Sequence, residues 1–265
     1  MATKNKISKK IDILILLIIN ILVVIISILC EPNFIVSAML FFGLPTAYIM
    51  TVHQLGHKNI LIASVSLGIF MCYCFELLAE HNNAWKLGSG TTFGKIFGVA
   101  EIDILIWSFL WVLFIFTIYS HFMPQKLKTS TVSRRSYKSL KFSIVFAIIL
   151  TVVYLIFPEA LVMPKPYLTI SLLGLIPFGF LIIKRPSLIL SAFMMVPYFV
   201  FVFLAHEITS LRLGHWLFPG DYISIINLGG VSMPFEELFF WIILGAPVMA
   251  VYYVRFFGSL KELKT

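Results

Sequence analysis

Eight apolar stretches of about twenty residues each occupy most of this 265-residue chain, and they limit its folds more than any motif does. About 20 apolar residues in helical form cross a hydrocarbon core roughly 30 Å thick. Within that core only helices and closed barrels satisfy their own backbone. The stretches lie near 11–30, 33–52, 59–79, 101–122, 140–157, 164–183, 187–206 and 235–257. They predict an all-α, polytopic membrane protein of about eight transmembrane helices. Only 12% of the residues are charged and 60% are hydrophobic. A soluble domain carries about 25% charge, so no large water-soluble domain is expected here. The first stretch follows a basic start but no small-x-small cleavage pattern, and is read as a retained span. Pro45 and Pro177 interrupt two spans at mid-height and read first as kinks.

Basic residues set the orientation. With the N-terminus inside, the inner segments hold Lys4, Lys6, Lys9, Lys10, Lys58, Lys126, Lys128, Arg134, Arg135, Lys138, Lys141, Lys184, Arg185, Arg255, Lys261 and Lys264. The outer segments hold Lys86, Lys95, Lys165 and Arg212. This positive-inside bias predicts a multi-pass cell-membrane protein with both termini cytoplasmic. The net charge of +8 follows this topology and is no nucleic-acid signature. The acids are skewed outward instead: of twelve, only Asp12 and Glu262 map inside.

The two halves align at offsets of 131 to 134. Glu76 and Glu207 each precede a tryptophan by nine residues, Trp85 and Trp216. Pro45 matches Pro177, Gly98-Val99 matches Gly230-Val231, Asp103 falls on Glu237, and Trp107 on Trp241. Four spans per half predict parallel repeats related by an axis near the membrane normal. The expected division is 1–122 as the first repeat, 123–139 as a basic cytoplasmic linker and 140–265 as the second repeat. The long outer loops, 82–100 and 209–233, are too polar to span. They fold over the outer mouth as lids or dip back as re-entrant hairpins.

The last span opens with Pro234-Phe235-Glu236-Glu237 and continues through seven apolar residues. A charge at the bilayer centre costs about 2.5–3.5 kcal/mol, so carboxylates in spans are functional candidates. Adjacent residues on a helix point about 100° apart, so one of the pair faces a pocket while the other bonds near its rim. Acids are ordinary at a helix start. That accounts for Glu236 and Glu237 but not for Glu76 and Glu207, which sit near helix C-termini. Carboxylates sharing an apolar site cannot all ionise, which leaves a protonated acid able to donate. Aromatic walls add the means to stabilise a carbocation and exclude water. Trp85 and Trp216 are either pocket walls or interfacial anchors.

His53 and His57 are spaced i, i+4 and could share a metal. The six histidines are scattered over both faces, however, and no metal centre is expected. His206, beside Glu207, reads better as a proton-sharing neighbour. Cys30, Cys72 and Cys74 imply no disulfide framework. No phosphate-binding loop, nucleophile elbow or dinucleotide fingerprint is present. The basic linker is a membrane-surface contact.

The stretch Trp216-Leu-Phe-Pro-Gly, then Gly229-Gly-Val, then Pro234-Phe-Glu-Glu-Leu-Phe-Phe-Trp241 resembles the integral-membrane lycopene cyclase domain family, of the heterodimeric bacterial, archaeal and fungal carotenoid cyclase type. The likeness covers about forty residues of the second half; in the first half Ala100-Glu-Ile-Asp103 stands in place of the signature. The resemblance implies an all-helical, two-half fold and cofactor-free, acid-catalysed cyclisation of a polyene end group through a carbocation. It carries Glu236 and Glu237 across as signature acids, Pro234 as the signature proline and Trp216 as the signature tryptophan. Glu207, with Asp103 and Glu76 assigned by the internal repeat alone, completes the expected catalytic set. Trp216, Trp85, Pro234, Phe240 and Trp241 form the expected substrate-binding set. The expected partners are a long-chain polyene or other isoprenoid substrate and the lipid bilayer. No nucleic acid is expected, and oligomerisation is left open. The competing readings are a carotenoid hydratase, a non-catalytic polyprenoid or lipid binder, a proton-coupled transporter and a structural subunit.

Overall fold

A computed structural model describes residues 9–53, 57–88, 92–122, 134–184 and 186–254. Among the described residues, six helices are long and apolar enough to cross a membrane: α1 (Lys9–Cys30), α2 (Phe34–Val52), α3 (Lys58–His81), α4 (Ile102–Phe122), α5 (Ser136–Ile156) and α6 (Pro166–Lys184). The protein is therefore an α-helical membrane protein. The other two apolar stretches are broken helices. In the seventh, α7 (Ser187–Phe193) stops before α8 (Val196–Arg212). Pro197, in the first turn of α8, has no N–H for the carbonyl four residues back. In the eighth, a π-helical turn at Glu237–Ile243 leads into α9 (Gly245–Tyr252). Pro247 leaves the Ile243 carbonyl without its partner in the same way.

Neither mid-span proline ends its helix. α2 runs on through Pro45, with a π-helical turn, Met39–Gly43, directly ahead of it. That wider turn absorbs the ring's clash with the preceding turn. α6 also continues past Pro177, and in the turn before it the Gly174 carbonyl accepts the Tyr252 hydroxyl of α9.

α4 is the central helix, with 67% of its apolar window buried, against 22% for α1 and 11% for α5. α1 and α5 therefore turn most of their surface to lipid, with side chains such as Ile21, Leu22, Ile148 and Ile149 exposed. Around α4, α3 packs on α5 while α8 packs on α1. α4 also meets α2 and α9, and α9 meets α6. Polar pairs join these helices where the bilayer offers no alternative partner. Asn20 of α1 donates to Tyr198 Oη of α8 at 3.1 Å. Ser66 and Ser143 pair α3 with α5 at 2.8 Å, as do Tyr73 and Thr151. At Gly68 the α3 backbone is so close to α4 that an added Cβ would lie 2.8 Å from Phe109 Cα.

The two long loops fold as short antiparallel ribbons. Strand β1 (Lys86–Leu87) of the first loop pairs with β4 (Trp216–Leu217) of the second. β2 (Lys95–Ile96) pairs with β3 (Ala100–Glu101) ahead of α4. β5 (Ile225–Leu228) and β6 (Val231–Pro234) form a hairpin ahead of the π turn. Its two-residue turn, Gly229-Gly230, has positive φ at both positions, as a type I′ turn requires. Arg212 donates to the Gly229 carbonyl at 2.7 Å and ties this turn to α8.

Candidate functional site

Beneath the β1–β4 ribbon lies a pocket of about 410 Å3, counted with its outward opening. Five elements supply its walls. Cys72 comes from α3, Ile104 and Trp107 from α4, Tyr167 from α6, Glu207 from α8, and Glu237 and Trp241 from the π turn. Trp85, Trp216 and Phe218 reach in from the ribbon. A second cleft, of about 270 Å3 when its open side is counted, continues from it between Phe42, Trp111, Phe203 and His206. The two share Trp107, Glu207, Glu237 and Trp241.

All five tryptophans of the chain meet here in one run of ring contacts. Trp216 packs edge-on to Trp107 at 5.6 Å, and Trp107 stacks on Trp111 at 6.0 Å. Trp111 tilts against Trp241 at 5.6 Å, and Trp241 meets Trp85 at 6.2 Å. Trp85 closes on Tyr167 at 5.0 Å. Such rings present a negative face to a cation and bring few groups that would react with one.

The two acids in this aromatic shell have different partners. The Tyr167 hydroxyl donates to Glu237 Oε2. Glu207 is buried, and its Oε1 has no hydrogen-bond partner among the described residues. The indole N–H of Trp107 is likewise buried and unpartnered there. His206 packs its ring on Phe41, Phe42 and Trp107, and its Nε2 lies 3.3 Å from Ser210 Oγ.

The other expected acids lie outside the pocket walls. Glu76 sits behind Trp85, where its Oε2 accepts the indole N–H at 2.8 Å. Glu236 is fully buried and accepts the backbone N–H of Ile223 at 2.7 Å. Asp103 accepts the N–H groups of Thr92 and Phe93, both at 3.0 Å. Glu236 and Asp103 thus hold the two loops down. Pro234 ends β6, paired with Ile225. Phe240 packs on Phe239, away from both clefts. Trp107, Trp111 and Tyr167 were absent from the expected site. The only sequence signal for them was the alignment of Trp107 with Trp241.

Charges and phenols in the loops keep the mouth in place. Lys95 Nζ lies 2.6 Å from Glu80 Oε1 and 3.2 Å from Glu101 Oε1. Burial pulls the Lys95 ammonium down, but the bonds and charges of these two carboxylates outweigh it and raise it above its ordinary value. Burial pushes the Tyr222 phenol up to about 12, so it remains an O–H donor to the Ala84 carbonyl at 2.8 Å. Comparison with protein families, with curated proteins and with solved structures finds no match to this chain.

Proposed function

We propose that this protein is a lycopene-cyclase-like membrane enzyme that closes a ring on the end of a long polyene or related isoprenoid without a cofactor. The observation that carries the reading is a pair of carboxylates, Glu207 and Glu237, facing one cleft whose other walls are almost entirely aromatic. Such a site suits proton delivery to an unactivated double bond followed by protection of the resulting cation.

The hydrogen bonds favour distinct roles for the two acids. Glu237 receives the Tyr167 hydroxyl and is suited to be the carboxylate. Glu207 has an oxygen without a hydrogen-bond partner among the described residues and is suited to carry the proton. In this scheme the Glu207 O–H protonates the terminal double bond and leaves a tertiary cation. An internal double bond attacks that cation and forms the ring carbon–carbon bond. Glu237 then removes a ring proton, and proton return between the two acids resets the site. The net change is an isomerisation.

The eight-span, two-repeat arrangement belongs to the same proposal, and reciprocal contacts support it. β1 and β4 pair about Lys86 and Leu217, which are equivalent positions at the 131-residue offset. His81 Nε2–H donates to Pro158 O between α5 and α6 at 3.0 Å. His215 Nε2–H donates to Pro32 O between α1 and α2 at the same distance. Packing of α3 on α5 likewise mirrors packing of α8 on α1.

Expression in a lycopene-accumulating bacterial strain, with chromatography of the pigments, tests the function. Monocyclic or bicyclic product is expected. Glu207→Gln and Glu237→Gln should each lower its formation at least about 10²-fold, the smaller end of what a positioned acid or base contributes. Tyr167→Phe should lower it about ten- to hundredfold, since a bond to a charged group is worth about 1.5–3 kcal/mol. Hydroxylated linear product would move the protein to the hydratases. Unchanged lycopene with protein in the membrane, or full activity in both Gln variants, would overturn the cyclase reading.

A further inference from the structure

Three helices bring metal-ligand side chains together at the end of the bundle opposite the pocket. Asp12 lies in the first turn of α1, His53 caps the end of α2, and His121 sits in the last turn of α4. Along α4 the step from Trp107 to His121 is about 21 Å at 1.5 Å per residue, so this cluster is separate from the aromatic site. Asp12 is fully buried and His121 is buried beside it. Asp12 Oδ2 is 2.9 Å from His53 Nε2 and 2.8 Å from His121 Nε2. The ligand atoms of all three residues lie within 4.8 Å of one another. The imidazole rings lie 4.1 Å apart and 33° from parallel. The Tyr48 hydroxyl donates to the other carboxylate oxygen, Asp12 Oδ1, at 2.8 Å. The i, i+4 spacing of His53 with His57 pointed elsewhere; the His57 side chain lies outside the described residues.

We propose that Asp12, His53 and His121 bind one divalent first-row transition ion. Two imidazoles and one carboxylate form the donor set that holds Zn2+ with an open position, and that also suits Fe2+ and Mn2+. Both imidazoles address the same carboxylate oxygen. Hydrogen bonding fills that arrangement only if each ring turns an Nε2–H toward it. An ion instead engages both ring lone pairs and offsets the buried carboxylate charge. Tyr48 makes the outer hydrogen bond that orients a ligating carboxylate. Tetrahedral ligands at about 2.0–2.1 Å from an ion lie about 3.3 Å from one another. Seating one therefore widens the Asp12–His gaps by about half an ångström, a small side-chain rotation. The bound ion clamps α1, α2 and α4 together.

The test uses the full chain, purified in detergent through an affinity tag without histidines, stripped with a chelator and titrated with Co2+. Wild type is expected to take up about one equivalent and to show the intense visible bands of low-coordinate Co2+. Zn2+ should displace it and raise the melting temperature reversibly. His121→Gln should lose this binding. Tyr48→Phe keeps the ligands and should weaken binding about 10–100-fold, as loss of an outer partner does. His81→Gln, at the far end of α3, should bind as wild type does. His53 is the most exposed of the three, so His53→Gln is the deciding variant if His121→Gln does not fold. Folded wild type that gives no Co2+ bands and no Zn2+-dependent shift overturns the proposal and leaves a hydrogen-bonded cluster. Equal uptake by wild type and His53→Gln overturns it as well.

Discussion

Glu236 and Glu237 are sequence neighbours with separate tasks. The helical turn that sends Glu237 toward the aromatic pocket sends Glu236 into the loop, where it receives the Ile223 amide. The sequence made this division legible, since adjacent helical residues diverge by about 100°, but it did not say which acid went where. His215 shows a residue whose protonation affects the fold. Burial holds its imidazole below its ordinary value while its Nε2–H bonds Pro32 O. The unfolded chain, with a histidine near 6.5, then binds more protons than the folded one, so this contribution to stability is lost as pH falls below about 6.5. The melting midpoint in detergent should fall between about pH 7.5 and about pH 5.5, and His215→Gln should flatten that fall. An equal fall in the variant would assign it to other groups.

Among the elements, proline had less effect where it was most visible. Pro45 and Pro177 stand in the middle of apolar stretches, yet α2 and α6 continue past them. Pro197 and Pro247 accompany the real breaks, beside Met194-Met195 and Leu244-Gly245. A proline's effect depends on whether the freed carbonyl and the ring clash are absorbed locally, and a linear sequence does not reveal that. Gly68 belongs to this scale too, because it sets how close α3 and α4 approach. Gly68→Ala should lower stability by about 1–3 kcal/mol, as overpacking does. An unfolding curve in detergent measures it. An unchanged midpoint would mean that the two helices have room to separate.

Across the whole molecule, the proposed orientation rests on the charge skew. Cys30, at the end of α1, is exposed, while Cys72 and Cys74 are buried. With both termini cytoplasmic, a membrane-impermeant maleimide applied to intact cells should label Cys30, and Cys30→Ser should abolish labelling. Labelling only after the cells are opened would invert the topology. The sequence support for the proposed two-repeat arrangement is a set of weak matches in the same order.

By itself the sequence determined the helical membrane class, most of the span positions and the presence of acids beside tryptophans. Apolar length and charge bias act through the bilayer, a solvent that a linear pattern can address directly. Only the tertiary structure decided that Glu207 meets Glu237, that all five tryptophans converge, and that Asp12 lies between His53 and His121. Those groupings join residues from different helices, and helix rotation, π turns and crossings at single glycines set them. None of these leaves a periodic trace in sequence.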